Sequence, residues 1–170
     1  CQISGNSAYW GGGAYFDNGA PHLTNCVVAG NWGHFGSALN LNNASPFLTH
    51  CTLFSNAATD PGAAGGALYL NGTSPSLLNT ILQKHDRVAV YLNGIANQPA
   101  FSHCLFYGNP DGDYYQEETG VLTGANALNL TRAGATRLLE GDACFAQDFE
   151  AFSSATWTAE AVYDAGVGRT

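Results

Sequence analysis

Residues 21–31 read PHLTNCVVAGN, and residues 46–56 read PFLTHCTLFSN, almost the same segment 25 positions later. The frame returns at Pro75 and Pro99, after intervals of 29 and 24 residues. Two further columns keep this phase, and their members are Cys1, Cys26, Cys51, Thr80 and Cys104, and Asn6, Asn31, Asn56, His85 and Asn109. Because several independent columns agree, residues 1–110 form a repeat with a period near 25.

Each period contains three short apolar segments separated by Gly, Asn or Pro, a pattern typical of strands joined by tight turns. Residues 1–110 show no amphipathic pattern of helical length. The sequence therefore predicts an all-β fold, a right-handed parallel β-helix (β-solenoid) of about five coils stacked about 4.8 Å apart. One rung cannot bury its own apolar face, whereas stacked rungs bury a continuous core, which explains the repetition.

Two apolar columns locate the predicted core. One lies three residues before the cysteine column and the other two residues after it; their members are Leu23, Leu48, Leu77 and Phe101, and Ile3, Val28, Leu53, Leu82 and Phe106. The columns are five residues apart, so a straight strand would point them to opposite faces. We therefore expect a bend at Asn25, His50, Asn79 and His103, because Asn tolerates left-handed backbone and can bond to neighbouring rungs.

A third set of strands is predicted at 14–19, 38–43, 67–72 and 89–94. Aligning these blocks places an outward column at Phe16, Asn40, Tyr69 and Tyr91, beside inward leucines at Leu41, Leu70 and Leu92. The same alignment puts Asp17 at the inward position of the first coil. We interpret the outward column as rung-to-rung stacking or as a surface for a glycan or a neighbouring chain.

Charge divides the chain into two regions. Residues 1–110 carry three acids and two basic residues, whereas residues 111–170 carry ten acids and three arginines. We therefore predict β-helix repeats over 1–110 and an acidic C-terminal cap, insertion or docking segment over 111–170. The net charge of −8 disfavours nucleic acid as a partner. No apolar run is long enough for a transmembrane segment, and the absence of Met indicates a processed form or a piece of a longer chain.

Several motifs carry a family resemblance over residues 1–110. They are the Gly-Gly-Ala blocks at 12–14 and 65–67, the P-x-L-x-N-C segments, and Phe54-Ser55-Asn56. With them the chain resembles secreted bacterial right-handed parallel β-helix repeat proteins and is similar to the passenger repeats of polymorphic outer-membrane proteins. The stretch TWTAEAVYD (156–164) looks like tails of planctomycete-type β-helix proteins. The resemblance implies an extracellular or cell-surface location but no single activity.

Cysteines and acids suggest two kinds of site. Four of the five cysteines share one core-facing column, so we expect buried thiols rather than disulfides, and no CxxC or HxxxH spacing predicts a metal centre. Asp111, Asp113 and Glu117 offer hard oxygens for calcium, but the full EF-hand frame is missing and an Asp-Gly turn explains the same residues. We expect no cofactor apart from this candidate calcium.

Variable segments after the Asn column are predicted as loops, at 7–12, 32–36, 57–65 and 86–87. Aromatic side chains crowd the first two and are candidates for carbohydrate stacking, or cover the solenoid edge; they are Tyr9, Trp10, Trp32, His34 and Phe35. Residues 84–87 read KHDR. Lys84, Asp86 and Arg87 are the candidates for a lyase-type catalytic set, and a solvated ion-paired loop is the competing interpretation.

Two functions from different classes follow. Regular rungs and few charges favour an extracellular structural or adhesive solenoid that stacks head to tail into a fibre or belongs to a large surface protein. The alternative is a polysaccharide-binding or polysaccharide-degrading β-helix protein, which needs acids from several coils beside the 84–87 loop. We expect no cleavage of polyuronates or neutral polysaccharides.

Overall fold

The computed structural model describes residues 1–63, 66–94, 97–116, 120–124, 135–136 and 138–140. In this part of the chain every regular element is a β-strand, and the strands form four sheets. Sheet A contains β1 (Gln2–Ser4), β5 (Val27–Ala29), β9 (Thr52–Phe54), β13 (Ile81–Gln83), β16 (Leu105–Tyr107) and β20 (Leu139–Glu140). Sheet B contains β2 (Ser7–Trp10), β6 (Trp32–Phe35) and β10 (Ala57–Ala58).

The other two sheets complete each coil. Sheet C contains β3 (Ala14–Gly19), β7 (Leu39–Ala44), β11 (Leu68–Asn71), β14 (Val90–Asn93), β17 (Tyr114–Gln116) and β18 (Gly120–Leu122). Sheet D contains β4 (His22–Thr24), β8 (Phe47–Thr49), β12 (Ser76–Leu78), β15 (Ala100–Ser102) and β19 (Ala135–Thr136). Sheet neighbours pair in parallel, except that β17 and β18 are antiparallel. The fold is a parallel β-solenoid of about four turns, slightly fewer than the predicted five.

Both predicted core columns are confirmed. In sheet D, Leu23 pairs in register with Leu48, Leu48 with Leu77, and Leu77 with Phe101. In sheet A, the pairing runs from Ile3 through Val28, Leu53 and Leu82 to Phe106. All these side chains are buried except Ile3, which is half-buried on the first rung. Hydrophobic burial along the axis therefore holds the coils together.

The bend between sheets D and A is also confirmed. Asn25, His50, Asn79 and His103 all have left-handed backbone, with φ between 50° and 53°. A second left-handed column follows β1, β5, β9, β13 and β16, and its members are Gly5, Gly30, Ser55, Lys84 and Gly108. Glycine adopts this conformation without strain, so Ser55 and Lys84 are the strained members of the column.

A buried polar ladder runs beside the second corner. The Oδ1 atom of Asn31 accepts the backbone N–H of Asn6 at 3.0 Å, and Oδ1 of Asn56 accepts that of Asn31 at 3.0 Å. His85 replaces Asn in the fourth coil, where its Nδ1 accepts the backbone N–H of Asn56 at 3.2 Å. Asn109 then accepts the backbone N–H of His85 at 3.1 Å. These side chains satisfy backbone donors at a corner that no strand pairing covers.

One predicted register is wrong by a single residue. β3 pairs Tyr15 with Asn40, Phe16 with Leu41 and Asp17 with Asn42. The outward column therefore starts at Tyr15, while Phe16 packs against the core. The shift has a clear cause, because the predicted register would have buried the Asp17 carboxylate without a partner. In the observed register Asp17 instead accepts a hydrogen bond from the Asn42 amide at 2.8 Å.

The prediction of buried thiols is confirmed for three cysteines. Cys26, Cys51 and Cys104 are buried and free, whereas Cys1 is free but exposed. Burial raises the pKa of Cys51 and of Cys104 to about 11, so both remain protonated thiols at neutral pH. The fifth cysteine, Cys144, lies outside the described residues.

Strand pairing continues past residue 110. β17 extends sheet C from β14, while β19 and β20 extend sheets D and A by one further rung. Leu138 is buried in the core cluster. The boundary at residue 110 stays a prediction, and residues 156–164 lie outside the described part of the chain. Among the described residues no helix is long and apolar enough to cross a membrane.

Candidate functional site

The aromatic residues predicted in loops lie on strands instead. Tyr9 and Trp10 belong to β2, while Trp32, His34 and Phe35 belong to β6. The two strands pair in parallel within sheet B, with Trp10 opposite Phe35. The prediction of loops was wrong because these segments lack alternating apolar and polar residues: several of their aromatic side chains point into solvent.

Most of these rings stack on one another. Tyr9 lies parallel to His34 at a centroid distance of 4.5 Å, and Trp10 lies parallel to Phe35 at 4.5 Å. Phe35 also contacts Tyr69 edge-on at 5.0 Å. A ring stacked along the solenoid axis offers its edge to solvent, so His34 and Phe35 have little free ring face for a sugar.

A tyrosine ladder continues this aromatic stacking along sheet C. Tyr69 stacks on Tyr91 at 5.5 Å, and Tyr91 stacks on Tyr115 at 4.8 Å. Tyr115 was not part of the predicted column, although it lies one period beyond Tyr91 in register. The predicted stacking of Tyr69 and Tyr91 is confirmed.

Trp32 differs from the other aromatic residues of sheet B. Its side chain is 47% exposed, and no ring contact within the described residues involves it. Its in-register neighbours are the small residues Ser7 on β2 and Ala57 on β10. Tyr9 and Trp10 are also exposed, but each stacks one ring face on β6. Among the described residues, Trp32 is therefore the aromatic side chain of sheet B that stacks on no other ring.

His34 forms a pair with Asp60 that sequence reasoning missed. His34 Nδ1 lies 2.7 Å from Asp60 Oδ2. This hydrogen bond is the main reason why the pKa of the Asp60 carboxyl is lowered, and the backbone N–H of Gly62 adds a second bond at 3.0 Å. The two residues are 26 positions apart, close to one period, so aligning the variable segments could have revealed the pair.

The candidate catalytic residues form inter-rung contacts. Both carboxylate oxygens of Asp86 accept the backbone N–H of Ala58 at 2.9 Å. Arg87 lies 3.3 Å from the Asp111 carboxylate and donates to the Pro61 carbonyl at 3.2 Å. Lys84 occupies the left-handed corner. These contacts agree with the ion-paired loop that was the competing interpretation, because the acids around Arg87 already bind protein groups.

The candidate calcium ligands are divided between two environments. Asp111 pairs with Arg87. Asp113 is buried, and its two oxygens accept from the Asn109 amide and from the backbone N–H of Gly124, both at 2.8 Å. Glu117 lies outside the described residues. Within the part of the chain that is described, no three metal-binding side chains group together. Calcium binding stays a prediction.

Comparison with protein-family models, with curated proteins and with solved structures gives no match for this chain. The fold and the surface together define a class, a parallel β-solenoid whose charged loops bridge neighbouring rungs and whose sheet B carries exposed aromatic side chains.

Proposed function

We propose that this chain is a structural or adhesive solenoid that acts outside the cell or at its surface. One observation carries the proposal: the charged side chains of the loops hold adjacent coils together. Asp60 binds His34 of the preceding coil, Asp86 binds the Ala58 backbone, and Arg87 reaches Asp111 of the following coil. These are the groups that a lyase mechanism would have to leave available for substrate.

Location and self-association belong to the same proposal. The motif resemblance supports a secreted or cell-surface setting. Strand edges that lack a pairing partner in this 170-residue chain favour either head-to-tail stacking or further coils of a larger surface protein, because unpaired backbone groups on a strand edge readily pair with another strand. In the described structure β1, β2, β3 and β4 each pair with a neighbour on one side only.

The alternative is a protein that binds or degrades polysaccharides. The exposed ring of Trp32 favours binding. Degradation gains no comparable support from the contacts of Asp86 and Arg87 described above.

An activity assay separates the structural assignment from a polysaccharide-degrading enzyme. The 170-residue chain is incubated with polyuronates and with neutral polysaccharides, and newly formed chain ends are measured against heat-denatured protein. We expect no rate above this control. A robust rate that disappears in Lys84→Ala or Arg87→Ala, with Tyr15→Ala unaffected, would overturn the structural assignment.

A further inference from the structure

On sheet B, Trp32 lies between small side chains of the two neighbouring strands. The in-register neighbours Ser7 and Ala57 are too small to cover the indole from either side. One face of the exposed indole ring can therefore contact a ligand. Burying that face against an apolar surface is favourable.

His34 lies two residues further along β6 and is held in a defined orientation. Its Nδ1 faces Asp60 at 2.7 Å, Tyr9 stacks on its ring, and Phe35 contacts it edge-on at 4.5 Å. Asp60, an ionised carboxylate, can only accept, so the proton of neutral His34 resides on Nδ1. The Nε2 atom is then a hydrogen-bond acceptor with a fixed direction.

Trp32 and His34 point to the same side of β6, because side chains alternate along a strand. Two residues of a strand are about 7 Å apart, roughly the width of one sugar ring with its hydroxyl group. A ring lying on Trp32 would therefore bring a hydroxyl within reach of His34 Nε2.

The charge of this surface selects among ligands. Two acids lie beside sheet B: Asp60, which binds His34, and Asp86, which accepts the backbone N–H of Ala58. Arg87 is already bound to Asp111 and to the Pro61 carbonyl. An anionic glycan would be repelled by these carboxylates, whereas a neutral sugar meets an aromatic ring and one acceptor. The Asp60 oxygens accept from His34, Thr59 and Gly62, which leaves little capacity for a cationic ligand.

We propose that the outer face of sheet B binds a neutral saccharide unit, with Trp32 as the platform and His34 Nε2 as acceptor for a hydroxyl proton. This proposal identifies a ligand class for the adhesive surface, and it therefore rests on the function proposed above. Asp60 is a positioning residue that holds the histidine ring.

Binding is tested with neutral oligosaccharides of glucose, galactose and mannose units, followed by tryptophan fluorescence and by amide chemical shifts. Polygalacturonate serves as the anionic probe. We expect at least one neutral oligosaccharide to bind, with the largest shifts around Trp32 and His34. Trp32→Ala should weaken binding roughly tenfold or more. His34→Phe keeps an aromatic ring for Tyr9 but lacks the acceptor, so it should also weaken binding.

Tyr15→Ala is the matched control, because Tyr15 is also 47% exposed but lies on sheet C. It should bind as the native chain does, and thermal unfolding of each variant shows that the fold is kept. The proposal is overturned if no neutral oligosaccharide binds, if only polygalacturonate binds, or if Trp32→Ala and Tyr15→Ala behave alike. Cleavage of a bound oligosaccharide would instead overturn the structural assignment and leave the site standing.

Discussion

His85 is the residue at which the polar ladder is least well satisfied. Its Nδ1 accepts the Asn56 N–H, so the neutral ring carries its proton on Nε2. This atom is buried near the Leu53 carbonyl but forms no hydrogen bond of good geometry. In the preceding coil the Asn56 amide donates to the equivalent carbonyl, that of Val28, at 2.9 Å. Burial lowers the pKa of His85 to about 3, because the charged ring would lose its hydration.

The first prediction concerns stability below neutral pH. The pKa of His85 is lower in the folded chain than in the unfolded chain, whose ordinary value is 6.5. The unfolded state therefore binds the proton first, and stability falls as pH drops below about 6.5, until about 3. One such proton contributes about 1.4 kcal/mol per pH unit to the free energy of unfolding.

His85→Asn should remove this contribution and restore the ladder geometry. Urea unfolding of the native chain and of His85→Asn between pH 7 and pH 4 measures the difference between their free energies of unfolding. The contribution of the carboxylates is common to both proteins and cancels in this difference. Leu78→Ala, an exposed position that loses no titratable group, serves as the control and should keep the native slope. Parallel curves for the native chain and His85→Asn would show that His85 does not control this pH dependence.

At the scale of the strand, burial and exposure alternate within three residues. Leu48 in β8 is fully buried between Leu23 and Leu77, whereas Phe47, the residue before it, is 44% exposed. We predict that Leu48→Ala lowers the free energy of unfolding by about 2–5 kcal/mol, because it leaves a cavity in the central stack. Phe47→Ala should cost much less, since Phe47 loses only its stacking on His22.

Denaturant unfolding of these two variants measures the contrast. The pair is matched, because both residues lie on the same strand and both lose a large apolar side chain. Equal losses would mean that the Leu23–Leu48–Leu77–Phe101 column does not form the core.

The strands that could be predicted are those in which the same position is buried in every coil. Leu23, Leu48 and Leu77 face the same environment, so their column is visible in the sequence. The register of β3 could not be obtained this way, because aligning the repeats without gaps places Asp17 at an apolar position. The observed register is one residue away and allows Asp17 to accept a hydrogen bond from Asn42. Sheet B was missed because exposed aromatics such as Tyr9 and Trp32 show no burial pattern.

At the scale of the whole molecule, the candidate site depends on contacts between variable segments. The His34–Asp60 pair joins two segments of different length, so their relative position is set by backbone geometry rather than by the repeat. Five aromatic site candidates were predicted by residue type alone. Their stacking, which involves every one of them except Trp32, could not be predicted, because it depends on which rings lie opposite each other on paired strands.

An outer amide ladder gives the solenoid a direction. The Asp17 carboxylate can only accept, so the Asn42 amide nitrogen must donate to it. The Asn42 amide oxygen then accepts a hydrogen bond from the Asn71 amide at 2.7 Å. Asn93 donates to Asn71 in turn at 3.1 Å. Every member donates toward β3, and the β3 end of the ladder is therefore an acceptor.

The last prediction concerns head-to-tail association of this 170-residue chain. In the described structure the outer edge of β1 carries unpaired backbone groups, and Ile3 leaves part of the core cross-section open. A second copy that places its last parallel rung on this edge would cover both, and repetition of such a contact without closure gives a filament. Light scattering should show concentration-dependent growth, and electron microscopy should show rods. Ile3→Lys should stop growth by placing a charge on the open core, whereas Ser4→Lys, which points outward, should not. A native chain that stays monomeric over a wide concentration range, with amide exchange showing β1 well ordered, would rule this contact out.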